Sequence, residues 1–248
     1  YFPKLCPPAC GLEINFRRIK NNHRIKYYTH TSVENISGEK GDFTISLKTT
    51  AQFVKESCTA CGKCLDVCPV ERPDEFNQNL SKTKAIYLPH DMSFPLKFTI
   101  DENYCKKEEC NACVNVCDYN AIDFSVEETD FSLDVSSIIV ATGWKNYDPS
   151  LIDNLRYSEF QDVVSNVEFE RMLAPGGPGK GKAERISDKT TPKEIAFVQC
   201  AGSRDENHLP YCSAVCCSAS LKHALNFQEK YPDSKIRIFY IDLRVSGR

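Results

Sequence analysis

The sequence is short of most features that would assign it quickly. In 248 residues there are 11 glycines, two methionines, one tryptophan and five histidines. No run approaches the roughly 18 apolar residues of a membrane span, so no direct span is expected and membrane contact would go through a partner or a peripheral surface. No excess of charge of either sign exists: 31 Lys+Arg stand against 34 Asp+Glu, a formal net charge of -3. That removes the electrostatic ground for a nucleic-acid partner. The G-x-G-x-x-G fingerprint of dinucleotide binding is absent. Gly176-Gly-Pro-Gly-Lys-Gly181 does not replace it, because it holds Pro178 and follows a helical pattern instead of a strand. No acid–base pair and no activated hydrolytic nucleophile stands out.

What is present is cysteine, 14 of them. In a small secreted chain such a number suggests a disulfide framework. Here there is no signal pattern, and the chain opens at Tyr1 as an internal piece of something longer would. Most of the cysteines stand two or three residues apart in groups, which favours metal or iron–sulfur ligation in a reducing compartment. The remaining composition, 41% hydrophobic and 26% charged, is that of one large or two modest globular domains.

Periodicity outlines the elements. Residues 24–29 are β-rich, and Phe43, Ile45 and Leu47 alternate with Thr44 and Ser46 behind a turn marked by Gly38 and Gly41. Two strands are expected at 131–135 and 138–141, the second ending in Thr142-Gly143. Ser165 is placed to cap a helix running to residue 173, with Glu168 at the capping-box position. Residues 175–182 read as a Gly/Pro/Lys linker. A strand at 195–199, a helix from about 213 to 230 and a strand at 235–243 make a β-loop-α-β unit of the kind that builds parallel sheets.

Three cysteine groups follow. Cys58-Thr-Ala-Cys61-Gly-Lys-Cys64-Leu-Asp-Val-Cys68-Pro69 is C-x2-C-x2-C-x3-C-P, the bacterial ferredoxin run. Three thiolates on one tight loop can take three corners of a cube, while the fourth, past a short helical turn, faces the neighbouring cluster. A zinc site normally uses two separated pairs. In the second run, Cys105, Cys110, Cys113 and Cys117, the first gap is lengthened to x4 and the usual proline is Asp118. By the two-cluster rule Cys58, Cys61, Cys64 and Cys117 hold one [4Fe–4S] cube, and Cys105, Cys110, Cys113 and Cys68 the other. The third group is Cys200, Cys212, Cys216 and Cys217, one at a strand end and two opening a helix, whose free N–H groups suit an anionic centre. A third cluster, a redox disulfide and reduced buried thiols all remain open there. Arg204 and His208 read as solvated loop residues, with hydrogen bonding to a cluster as the alternative. Cys6 and Cys10 form a fourth pair, either completed by cysteines elsewhere or plain buried thiols.

The stretch from Phe197 through Cys217, followed by Phe239-Tyr-Ile-Asp-Leu-Arg244, resembles the flavin-containing A subunit of heterodisulfide reductases and its relatives. Residues 2–22 are most similar, within that family, to the A subunit of the quinone-interacting membrane-bound oxidoreductase of sulfate reducers. The resemblance implies an α/β chain, part of a thioredoxin-reductase-like flavoprotein fold with an inserted α+β two-cluster ferredoxin domain. Residues 1–55 would begin the flavoprotein domain, 56–127 would be the insert, and 128–248 would continue the flavoprotein domain. It implies FAD in the complete protein, held mainly by a Gly-rich segment absent here, with Ala141, Thr142 and Gly143 beside it. It also implies partner subunits, one of them quinone-reactive and in the membrane, and a cytoplasmic location at the inner face of that membrane. The corresponding role is electron relay between a quinone pool and a cytoplasmic reductase of sulfur metabolism. Where a nicotinamide fingerprint would follow the strand 195–199, Cys200-Ala-Gly-Ser stands instead, so electrons would move through clusters and not NAD(P)H. The rivals are the A subunit of a soluble, flavin-bifurcating heterodisulfide reductase, a zinc-stabilised binding module, and a dithiol oxidoreductase using Cys216 and Cys217.

Overall fold

The structure, a computed structural model, describes residues 11–245; Cys6 and Cys10 lie outside the described residues. In chain order its elements are α1 (Leu12–Asn21), β1 (Thr31–Glu39), β2 (Asp42–Thr49), α2 (Lys63–Val67), β3 (Glu71–Pro73), β4 (Lys82–Lys84), β5 (Ile86–Tyr87), β6 (Thr99–Ile100), α3 (Ala112–Asn115), β7 (Thr129–Val135), α4 (Asn166–Leu173), β8 (Glu194–Val198), α5 (Cys216–Lys230) and β9 (Lys235–Phe239). They fall into two compact units, residues 11–76 with 82–143, and residues 77–81 with 144–245.

In the first unit β1 and β2 form an antiparallel hairpin closed by Lys40-Gly41. Gly38 and Gly41 sit at φ 98 and 96, and a Cβ on Gly38 would stand 2.1 Å from the Asp42 carbonyl oxygen, so glycine is required there. β7 pairs antiparallel with β2 in the register Phe43↔Val135, Ile45↔Leu133 and Leu47↔Phe131. The apolar alternation read from the sequence therefore sets the register, since a one-residue slip would turn these side chains to the other face. The cysteine-rich block is thus spliced between two neighbouring strands of one sheet. It carries a small core of its own: Phe53, Val54, Ile86, Phe98, Ile100 and Ile122, packed with Cys64 and Cys113. Two short pairings frame it, β5 with β6 and Val54 with Ile122.

Two expected strands are not formed. Residues 24–29 lack regular structure; Tyr27 packs on Phe94 and Tyr28 on Phe131, at 4.8 and 5.1 Å between ring centroids. Residues 138–141 likewise make no ladder, and Ile139 is 90% exposed. An apolar run becomes a strand only beside a ladder partner, and neither run has one among the described residues.

In the second unit β8 and β9 pair in parallel, Ile195 opposite Ile236 and Phe197 opposite Ile238, with α5 as the crossover between them. Phe169 of α4 and Phe227 of α5 pack beneath the sheet with Ile195, Phe197 and Ile236, and Phe227 is 0% exposed. The capping box is formed: the Ser165 hydroxyl accepts from the Glu168 N–H at 3.3 Å, and the Glu168 carboxylate accepts from the Ser165 N–H at 2.5 Å. The stretch read as a linker, 175–182, is instead an ordered loop. Gly177 and Gly181 are buried, and a Cβ on Gly177 would lie 1.7 Å from the Arg171 carbonyl oxygen. Its glycines serve close approach, not flexibility.

α4 is tied to α5 by Glu170, whose carboxylate accepts from both the Lys222 ammonium and the ring of the buried His223. Burial pushes that carboxyl up, but the hydrogen bonds from His223 and Lys222 outweigh it and hold its pKa at about 2, below the ordinary 4.5. A depressed carboxylate stabilises the fold above its unfolded pKa and loses that contribution as pH falls through the folded one, here between about 4.5 and 2. With solvent screening on its open side the pair contributes about 1–2 kcal/mol. Glu170→Gln should therefore lower the thermal midpoint most at neutral pH, and the gap from the parent should narrow below about pH 4.5. A gap independent of pH, followed by circular dichroism, would refute the linkage.

Candidate metal centres

Each cysteine loop is built on one local device. Cys58 Sγ accepts from the Ala60 N–H at 3.4 Å, and Cys105 Sγ from the Lys107 N–H at 3.4 Å. Ala60 and Lys107 are both left-handed, at φ 54 and 45. This turn folds the backbone around the sulfur and points amide hydrogens at it, a concavity suited to anions. Further along, Gly62 and Asn111, also left-handed at φ 88 and 50, open α2 and α3, which carry the buried Cys64 and Cys113. The x4 gap of the second run is taken up by a single 3₁₀ turn, Lys107–Glu109. Asp118, where the motif usually has proline, ion-pairs with Lys63 of the opposite run. Both side chains are exposed, so the pair adds little stability.

The eight cysteines regroup across the two runs. Cys58, Cys61, Cys64 and Cys117 line one recess together with Ile86 and Phe98. Burial, then the neighbouring Cys58, pushes the Cys64 thiol up to about 12. Burial, then Cys105, pushes Cys113 up to about 11, with Cys68 adding to it. Cys105 is raised by burial first, with Cys68 and Cys110 adding to the effect. Cys117 thus lines the recess of the first run, and Cys68 lies near enough to Cys105 and Cys113 to raise both thiols. Buried thiols crowded together in this way stay ionised only beside strong positive charge, which the iron of a cluster supplies; the donor set fits such a group. Among the described residues no three His, Cys, Asp or Glu side chains converge closely enough to grip a single ion. All twelve described cysteines are free thiols, those at 200, 212, 216 and 217 included.

The third group also converges. Cys200, Cys212, Cys216 and Cys217 line a recess together with Arg204, Asp242 and Arg244. Cys200 follows β8 in a left-handed conformation, φ 57, and Cys216 and Cys217 open α5. Cys212 Sγ accepts from the Ala214 N–H at 3.4 Å, and Ala214 is left-handed at φ 59, so the ferredoxin-run turn recurs here. Cys217 Sγ accepts from the Arg244 N–H at 3.4 Å, and Cys216 Sγ lies 2.9 Å from the Ser213 hydroxyl. The recess lies at the carboxyl ends of two parallel strands and the amino end of their crossover helix, where α/β sheets bind ligands.

Arg204, read from the sequence as a solvated loop residue, is turned inward. Its guanidinium donates to Cys200 Sγ at 3.9 Å and ion-pairs with Asp242, leaving its side chain 21% exposed. His208 does not reach the cysteines; it is hydrogen-bonded to the Tyr147 hydroxyl at 2.6 Å through Nδ1. The Tyr147 ring lies against Gly202, where a Cβ would come within 2.5 Å of it. Asp242 and Arg244 were not singled out individually from the sequence, although Asp-Leu-Arg directly after an apolar strand marks that carboxyl end. Ala141, Thr142 and Gly143 are exposed in a segment without a strand, and a Cβ on Gly143 would meet open space.

The family model described as "4Fe-4S binding domain" matches residues 51–71. Over 249 residues the chain is 36% identical to the A subunit of the H(2):CoB-CoM heterodisulfide,ferredoxin reductase of Methanothermobacter marburgensis, covering 100% of this chain and 38% of the relative. It is 38% identical to the A subunit of the Ferredoxin:CoB-CoM heterodisulfide reductase of Methanosarcina acetivorans, over 96% of this chain and 34% of that protein. It is 40% identical to an iron-sulfur A subunit of the CoB--CoM heterodisulfide reductase of Methanopyrus kandleri, over 100% of this chain and 38% of that protein. The chain thus spans little more than a third of the length of these relatives.

A β-branched side chain at a left-handed position is strained beyond alanine, whereas glycine is at ease there. Ala60→Val and Ala214→Val should each lower metal retention at their own cysteine group under a mild chelator, while the glycine variants keep it. Equal retention in the valine and glycine variants would show that the turn does not organise the sulfurs.

Proposed function

The chain is homologous over its full length to a segment of heterodisulfide reductase A subunits, and we propose that it is the cluster-bearing part of such an oxidoreductase subunit. In this reading it relays single electrons through three [4Fe–4S] cubes. Cys58, Cys61, Cys64 and Cys117 hold the first, Cys105, Cys110, Cys113 and Cys68 the second, and Cys200, Cys212, Cys216 and Cys217 the third. The observation that carries the reading is the crossed grouping, Cys117 facing the first run's recess and Cys68 the second run. For the third cube the support is the recurrence at Cys212 of the turn found at Cys58 and Cys105. The clusters supply one-electron chemistry when bound, and the protein supplies fixed thiolates and amide donors.

FAD is proposed for the complete protein, where it would interconvert one- and two-electron steps. Among the described residues no helix is long and apolar enough to cross a membrane. The likeness of residues 2–22 supports a link, through partner subunits at the inner face of the membrane, between a quinone pool and a cytoplasmic reductase of sulfur metabolism. The names of the relatives, which speak of CoB-CoM heterodisulfide and ferredoxin, support the second reading, a soluble flavin-bifurcating heterodisulfide reductase.

On protein purified without oxygen, about 12 iron atoms with matching acid-labile sulfide per chain are expected, and no zinc. Cys68→Ser should disturb the electron paramagnetic resonance signal of the second run's cluster, and Cys117→Ser that of the first. About 8 iron atoms would confine clusters to the ferredoxin block and return Cys216 and Cys217 to thiol chemistry. Zinc without sulfide would overturn the proposal.

A further inference from the structure

The third cysteine group differs from the other two in what donates to its sulfurs. In the ferredoxin block the donors to cysteine sulfur are backbone N–H groups, those of Ala60, Lys107 and Ala121. In the third group backbone donors serve Cys212 and Cys217 and the Ser213 hydroxyl lies 2.9 Å from Cys216 Sγ, but Cys200 receives a full positive charge, the guanidinium of Arg204. We propose that Arg204, clamped by Asp242 against Cys200, is a positioning residue that sets the reduction potential of the centre held by Cys200, Cys212, Cys216 and Cys217. The proposal rests on the reading of that group as a cluster site.

The clamp is built from several elements. Arg204 is left-handed at φ 57, and its N–H donates to the Tyr211 carbonyl at 3.1 Å, closing the loop between Cys200 and Cys212. Its guanidinium is paired with Asp242, just beyond β9, and the same carboxylate accepts from Arg244 Nε at 2.8 Å. Two guanidiniums against one carboxylate leave one net positive charge at the rim. A cluster that takes up one electron becomes one charge more negative, so a fixed cation beside a ligating sulfur favours the reduced form and raises the potential. The tethers at Tyr211 and Asp242 keep the guanidinium in place in both redox states, so the shift needs no rearrangement.

The test is a potentiometric titration of the full chain with dithionite, followed by electron paramagnetic resonance, alongside iron and sulfide counts, for the parent, Arg204→Gln and Arg204→Lys. The glutamine variant should keep about 12 iron atoms per chain. It should lower the midpoint of one cluster about tenfold in its reduced-to-oxidised ratio, roughly 59 mV for one electron, and leave the other two unmoved. Lysine, which keeps the charge, should restore most of the shift. An unmoved midpoint with iron intact would overturn the proposal, and so would loss of the third cluster's iron in both variants, which would make Arg204 structural only. A parent with about 8 iron atoms would fail differently, removing the cluster reading itself and the proposal with it.

Discussion

A cysteine sulfur can be aimed at a shared centre only if the backbone just after it turns back, and in all three cysteine groups a left-handed residue two positions on does this. Ala60, Lys107 and Ala214 each place an amide hydrogen bond of 3.4 Å on the sulfur before them. Left-handed backbone at a non-glycine residue costs on the order of 1–2 kcal/mol, so three repetitions in cysteine loops are not the work of local propensity. Much else follows from that aim. Gly62 and Asn111 start helices short enough that Cys68 and Cys117 leave them toward the opposite run, and the small apolar core fills in behind Cys64 and Cys113.

The second unit reaches a similar arrangement by other means. A parallel pair with a crossover helix brings three chain segments to one end: the exit of β8, the start of α5 and the exit of β9. Cysteines occupy the first two, and Asp242 and Arg244 the third. The loop between Cys200 and Cys212 is braced on its outer side by Tyr147 and His208, with Gly202 leaving room for the ring. Vicinal cysteines, awkward on an ordinary binding loop, are accommodated because the helix begins at Cys216 and both side chains border the recess.

The errors of sequence reading share a cause. Residues 138–141 and 24–29 carry strand composition, yet neither finds a ladder partner among the described residues, so neither becomes a strand. Residues 175–182 carry linker composition, yet their glycines allow backbone to touch backbone beside α4. Arg204 looked like a solvated loop side chain because its partner, Asp242, is 38 positions away. Composition reports what a segment can do; whether it does so depends on neighbours distant in the chain.

The sequence by itself determined the elements whose signal is local: the 43–47 and 131–135 alternation that sets the β2–β7 register, the Ser165–Glu168 capping box, the β-α-β order of residues 194–239, and the spacing of the three cysteine groups. These are legible because each rests on side-chain periodicity or on contacts within a few residues. Only the tertiary structure decided that Arg204 turns in to Cys200 under the clamp of a distant carboxylate, that residues 138–141 stay without a ladder, and that residues 175–182 pack as a close loop. Those outcomes depend on where chain segments cross in space, and loop closure over tens of residues leaves no periodic mark in the sequence.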